Sequence, residues 1–342
     1  MKKATLHLSA KPLLLGYLLF WWLVGQSQDL HFSQFSATPS YINPALTGKF
    51  NGDGRFTLNH RSQWRSVTVP YQTFAATADF SKLGSTPKLG TGVSVYYDKA
   101  GDSKLTTFKF DFALSYSLKL TYDNKHSLSM GLQGGLKNMT IDYSALRFDN
   151  QYNGTQYDAN LTTGEAFTYN KLLAATASSG IAYFYVDHKK VLVAGIGVYN
   201  LISSNQSFFA TGSSPLDKRV NSYVGGELAL NDKQILMPTV FFSKQGKLKE
   251  IIFGGKFKQV VFEDNRYYRA VSGGLYFRNR DALFITGNLE INDLNFGISY
   301  DLNVSGLRKA SSYRGAYEVS LIYVYSANRA GSRKFSSCPV FI

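Results

Sequence analysis

Between residues 106 and 120, every second side chain is Thr106, Phe108, Phe110, Phe112, Leu114, Tyr116, Leu118 and Leu120. The residues between them are Thr107, Lys109, Asp111, Ala113, Ser115, Ser117 and Lys119. Side chains alternate faces along a strand, so this stretch is a strand with one apolar face and one that carries charge. Leu128, Met130, Leu132 and Leu136 repeat the pattern, as do Leu294, Phe296, Ile298, Tyr300 and Leu302. Tyr317, Val319, Leu321, Tyr323 and Tyr325 close the series opposite Glu318 and Ser320. No helical period interrupts it, so the chain is all-β.

Segments of this kind fall at roughly 55–65, 71–80, 90–98, 106–120, 125–141, 174–187, 191–201, 222–231, 234–245, 249–262, 267–277, 281–290, 294–302 and 315–326. Fourteen is an even number, and most segments are near the about 9–11 residues that cross a bilayer at a tilt. Connections after even strands are short, whereas those after odd strands include the three longest, 142–173, 202–221 and 303–314. Short turns on one side and long loops on the other are expected of an antiparallel transmembrane β-barrel of the outer membrane, with the short turns in the periplasm. A soluble sandwich also alternates its faces but needs no such parity. In the barrel the apolar face meets lipid, and Lys109, Asp111, Lys119 and Lys137 point into a wet lumen.

Ahead of the first strand, Lys2 and Lys3 precede an apolar run over 13–24, and Gly25 and Ser27 are small. That is a secretory signal cleaved after Ser27. The expected organisation is therefore a signal peptide over 1–27, a short N-terminal plug segment over 28–54, a barrel over 55–326 and a periplasmic tail over 327–342. Both mature ends would then be periplasmic. The formal charge of +14 leaves an excess of cations in an exported chain, suited to anionic headgroups or acidic partners. The single Cys338 excludes an internal disulfide.

Catalytic chemistry has no foothold. The five histidines, His7, His31, His60, His126 and His188, show no ligand spacing, so neither a metal site nor a cofactor is expected. Gly195 and Gly197 lie in a strand with no following helix, which speaks for relief of crowding or wall bending rather than phosphate binding. Asp142, Asp149, Asp158 and Glu165 are loop carboxylates without the spacing of a calcium loop. Nothing in the pattern points to an enzyme or to nucleic acid.

One stretch before the first strand, PSYINPALTG at 39–48, is too punctuated for a strand. Asn43 suits a cap, Pro44 the first helical position and Gly48 the position past the end. A single turn over 44–47 is stable only when packed on something. Asn43, Pro44, Leu46 and Gly48 are therefore candidate plug or latch residues. This stretch, together with DLHFSQF at 29–35, RSQWR at 61–65, DKAGD at 98–102, SYDLNVS at 299–305, GAYEVSLIY at 315–323 and a tail with Cys338, Pro339 and Phe341, resembles the PorP/SprF family of the type IX secretion system of Bacteroidota. The tail departs from the family's Cys-Pro-Arg-Phe at Val340.

The resemblance implies an outer-membrane component that assists secretion or surface anchoring of cargo such as gliding adhesins. Its implied partners are outer-membrane lipid, secreted cargo with a C-terminal sorting domain, and a periplasmic lipoprotein ring or motor. Within the quoted motifs Arg61, Trp64, Asp98, Asp102 and Asp301 are candidate rim or partner contacts. Arg329, Arg333, Lys334 and Phe341 are candidate contacts of the tail. An Asn-Pro-Ala element before the first strand also occurs in fatty-acid-type transporters, so a small-molecule channel is the alternative.

Overall fold

The computed structural model describes residues 29–327 apart from 66–68, 85, 87, 265, 307–308 and 310. The expected signal peptide over 1–27 and the tail residues Arg329, Arg333, Lys334, Cys338 and Phe341 lie outside the described residues. Fourteen strands form a closed antiparallel barrel in which each pairs with its neighbours in sequence and β1 pairs with β14. They are β1 (Gly54–Gln63), β2 (Tyr71–Phe80), β3 (Leu89–Ala100), β4 (Leu105–Lys119), β5 (His126–Thr140), β6 (Lys171–Asp187) and β7 (Lys190–Tyr199). The second half comprises β8 (Arg219–Asn231), β9 (Gln234–Gln245), β10 (Leu248–Glu263), β11 (Tyr268–Arg278), β12 (Ala282–Ile291), β13 (Leu294–Asn303) and β14 (Arg314–Tyr325). Closure pairs every edge, as a sheet in hydrocarbon requires.

The alternation fixes which way each strand faces. Phe108, Phe110, Phe112, Leu114 and Tyr116 of β4 stand on the outer surface, and Asp111 between them is buried inside. On β13, Leu294, Phe296, Ile298, Tyr300 and Leu302 face out while Asn295, Ser299, Asp301 and Asn303 are buried within. A one-residue slip would exchange these faces and place Asp111 and Asp301 in lipid, so burial on both sides of the wall locks the register. At DKAGD the strand runs two residues past the marked segment: Asp98 to Ala100 continue β3, and the turn is formed by Gly101 (φ 67°), with the Lys104 amide donating to its carbonyl at 3.2 Å.

The core lies inside the barrel. Residues 29–53 carry a 3₁₀ turn (Phe35–Ala37), a one-turn helix α1 (Pro39–Ile42) and a second 3₁₀ turn (Pro44–Leu46). Phe35, Ile42, Ala45 and Leu46 pack with Ala182, Phe184, Val193, Tyr223, Phe241, Ile252, Tyr276 and Phe284 of the wall. Helices this short have no stability of their own, so the wall supplies it. The expected helical turn over 44–47 is thus a 3₁₀ turn ending at Leu46, preceded by a turn of α-helix that the sequence did not suggest.

The segment runs the length of the lumen, antiparallel to β1. Asp29 donates its amide to Gln245 at 3.1 Å and accepts from Asn200 at 3.0 Å. Both lie at the end of the barrel that bears the long loops. Asp53 meets the other end, where its carbonyl accepts from Ser81 at 3.1 Å and its amide donates to Tyr325 at 2.8 Å. The two ends of the described chain therefore sit at opposite mouths. The mature ends expected at 28 and 342 lie outside the described residues. In a Cys338→Ser background, a cysteine at Asp29 should react with a membrane-impermeant maleimide applied from the long-loop side. Labelling only from the short-turn side would contradict this path.

Candidate functional site: the lumenal segment and its clasp

Four strands carry the groups that hold Ser33 and Gln34 in the amino-terminal half of the segment. Inward alternation on β1 places Arg55, Thr57, Asn59 and Arg61 in the lumen. Arg278 ends β11, Asp301 lies near the end of β13, and Glu318 lies on β14, directly opposite Arg61 across the β1–β14 seam. Arg61 bridges Asp301 at 3.0 Å and Glu318 at 3.1 Å, and Arg278 bridges Asp301 at 3.2 Å and Glu250 at 3.0 Å. Arg61, Asp301 and Glu318 are each at most 2% exposed. Charges this deep persist only when paired and hydrogen-bonded on all sides.

Ser33 and Gln34 complete that pairing. The Ser33 hydroxyl donates to Asp301 at 2.7 Å and accepts from Arg61 at 2.7 Å and Arg278 at 2.8 Å. The amides of Ser33 and Gln34 donate to the two oxygens of Glu318 at 2.8 and 3.0 Å. Asn59 donates to the same carboxylate at 2.8 Å. Gln34 reaches the Glu318 carbonyl at 3.1 Å and accepts from Ser320 at 2.7 Å. A two-residue stretch of backbone thus occupies a charged socket built from strands far apart in sequence. The His31 ring lies beside this socket, with its Nε2 3.4 Å from the Arg61 guanidinium. The Asp29 carboxylate lies 3.9 Å from the Arg219 guanidinium. The Arg219 guanidinium also lies 4.1 Å from the Tyr41 ring and 4.5 Å from that of Tyr199.

The carboxy-terminal half is held by close approach instead. Gly131, Gly180 and Gly197 are paired in register across β5, β6 and β7. A Cβ at Gly131 would overlap the backbone of Pro44 and Ala45, one at Gly180 would overlap the Asn43 amide oxygen, and one at Gly197 would press on the Ile42 carbonyl. Only glycine lets two backbones meet this closely. Asn43, fully buried, accepts from the Ala45 amide at 2.9 Å and donates to the carbonyls of Ile181 and Ile196 at 2.9 and 3.1 Å. Ser129 and Ser115 donate to the Ala45 and Thr47 carbonyls at 2.8 and 2.6 Å. Gly48 takes φ 70° and gives its amide to Asp79 at 2.7 Å, a carboxylate that also holds Arg55 in a two-point ion pair.

Asn43→Ala should therefore remove a cap and two side-chain hydrogen bonds to wall carbonyls, loosening the segment by about 1–3 kcal/mol. Faster proteolysis near 39–48 in the detergent-solubilised protein would register it; an unchanged rate would mean the segment is held without Asn43.

The residues singled out from sequence divide by location. Asn43, Pro44, Leu46 and Gly48 are buried against the wall. Arg61 and Asp301, read as rim contacts, lie inside the lumen in one ion network, because inward alternation and not proximity to a loop decides their direction. Asp98 also faces inward and accepts from Thr73 at 2.6 Å. Asp102 is exposed in its turn, and Trp64, at φ 59°, packs edge-on to Tyr71 where β1 leaves the barrel. Glu318, Arg278, Ser33 and Gln34 were not singled out. A lone carboxylate at 318 within an apolar-alternating strand was the one available sign that a cation must face it. Among the described residues no group of His, Cys, Asp and Glu is placed to hold a metal ion.

A closed fourteen-strand wall with an apolar exterior and a polar, segment-filled interior defines a membrane β-barrel of the outer-membrane kind. The family model for the type IX secretion system membrane protein PorP/SprF matches residues 24–323, and the chain belongs to that family. No curated protein matches it. Among solved structures, the Ralstonia pickettii toluene transporter TbuX is 11% identical, with 83% of this chain and 92% of that one covered at a TM-score of 0.47. The P. putida toluene transporter TodX is 9% identical, with 84% and 93% covered at 0.46. CdiB from Escherichia coli is 7% identical, with 78% and 63% covered at 0.43. Scores this low carry no weight for function.

Proposed function

We propose that this chain is a plugged outer-membrane barrel that assists type IX secretion or surface anchoring of a cargo protein, without carrying small solutes itself. Membership of the PorP/SprF family supports the secretion role. The observation that carries the rest is the occupancy of the lumen by residues 29–53, clasped at Ser33 and Gln34 and seated on the glycine row. With the interior filled, binding falls to the two mouths. The long-loop mouth faces outward and receives cargo bearing a C-terminal sorting domain; the short-turn mouth and the tail meet a periplasmic lipoprotein ring or motor.

The alternative, a small-molecule or fatty-acid-type channel, needs the segment to move aside. Deleting the gene should remove one adhesin-type cargo from the cell surface, and the purified barrel should retrieve that cargo's C-terminal domain. Cargo still displayed after deletion, or steady single-channel conductance by the intact barrel, would overturn the proposal.

A further inference from the structure

The two longest loops of the outward mouth do not hang free. The Tyr143 and Phe167 rings stack at 3.9 Å, and Phe148, Phe208 and Phe209 close around them. The amides of Thr168 and Tyr169 donate to the Phe208 carbonyl at 3.3 and 3.0 Å, and the Tyr143 hydroxyl donates to the Tyr169 carbonyl at 2.6 Å. An aromatic knot thereby fuses the β5–β6 and β7–β8 loops into one body. That body presents outward Tyr152, Tyr169 and Phe209, which are 57%, 49% and 40% exposed.

Its charge runs against the rest of the molecule. In a chain of net charge +14, the β5–β6 loop carries Asp142, Asp149, Asp158 and Glu165 against the single cation Arg147. The other connections at this mouth are neutral or basic in sequence. Lys104 engages Asp142 at 3.3 Å, while Asp149, Asp158 and Glu165 form no ion pair among the described residues. Arg147 already lies over the Tyr157 ring at 4.9 Å, so the loop seats one guanidinium on an aromatic face. Tyr152 and Tyr169 offer the same kind of face to others.

We infer that this acidic aromatic body is a docking surface for an arginine- or lysine-rich segment of a secreted polypeptide, a specification of partner that rests on the cargo-binding reading above. Carboxylates attract the segment over distance and set its orientation; the exposed rings receive its cations at contact. Because the knot orders both loops beforehand, docking costs little further ordering. An acidic segment is repelled.

The test uses the full-length barrel in lipid nanodiscs and a fluorescein-labelled peptide of alternating arginine and serine, followed by anisotropy. The peptide should bind, more weakly as salt rises, and a glutamate–serine counterpart should not. Asp149→Asn, Asp158→Asn and Glu165→Gln together should weaken binding about tenfold. Tyr152→Ser with Tyr169→Ser, at unchanged charge, should weaken it about fivefold. Asp149, Tyr152, Glu165 and Tyr169 are exposed and Asp158 is half-buried, and heat-modifiable gel mobility reports that the barrel remains closed. Equal binding of the glutamate peptide, or affinity untouched by both sets of substitutions, would overturn the inference. That failure is separable from failure of the secretion role, which is read in cells by cargo display after gene deletion.

Discussion

Glu318→Ala is expected to release the amino-terminal half of the lumenal segment from the wall. The Glu318 carboxylate, 1% exposed, accepts from the amides of Ser33 and Gln34, from Asn59 and from Arg61. Truncation leaves two backbone donors without partners and Arg61 matched by Asp301 alone. Removing one partner of a buried ion pair costs about 3–5 kcal/mol, most of it from the charge left behind. That exceeds what the remaining contacts of two residues can hold, so residues 29–38 should become accessible to protease while the strands stay paired. Glu318→Gln keeps shape and acceptor on one oxygen, and its effect should be smaller, about 1–3 kcal/mol. Limited proteolysis beside heat-modifiable mobility measures both, and single-channel recording should show intermittent conductance for Glu318→Ala. Wild-type protease resistance in Glu318→Ala would mean that the clasp does not hold the segment.

Gly131→Ala combined with Gly180→Ala should dislodge the other half and leave the clasp in place. Each new methyl meets atoms of residues 43–45, and at Gly131 these are backbone, which cannot rotate away. Overpacking of this kind costs about 1–3 kcal/mol per site. Asn43 would also be pushed off the Ile181 and Ile196 carbonyls that it bridges. Cleavage should then appear near 39–48 while residues 33–34 stay protected, the reverse of the Glu318→Ala pattern. If both variants open the same sites together, the segment is one cooperative unit and not two independently held halves.

These contrasts show where local pattern stops informing. All fourteen strands fall within three residues of the segments marked by alternation, because a period of two is written directly into the chain. The turn chemistry at 39–48 was legible for the same reason: Asn43 caps and Gly48 takes positive φ through neighbours one or two residues away. The end of β3 was legible less sharply: the strand runs to Ala100, two residues past the marked segment, since Asp and Gly nearby look alike whether the strand ends before them or after. The glycines at 195 and 197 were legible only as relief of crowding. What crowds them, Asn43 and Ile42, is more than a hundred and fifty residues distant.

The sequence by itself determined that this chain is an alternating all-β protein with an odd–even loop asymmetry and a capped turn ahead of its first strand. Each of those properties is carried by residues near one another in the chain. Only the tertiary structure decided that Ser33, Arg61, Arg278, Asp301 and Glu318 are a single clasp and that residues 29–53 fill the lumen from one mouth to the other. Closing the barrel joins β1 to β14, and that pairing sets Arg61 opposite Glu318 across 257 residues of chain. A buried charge announces that it needs a partner; which partner it finds depends on where the wall closes.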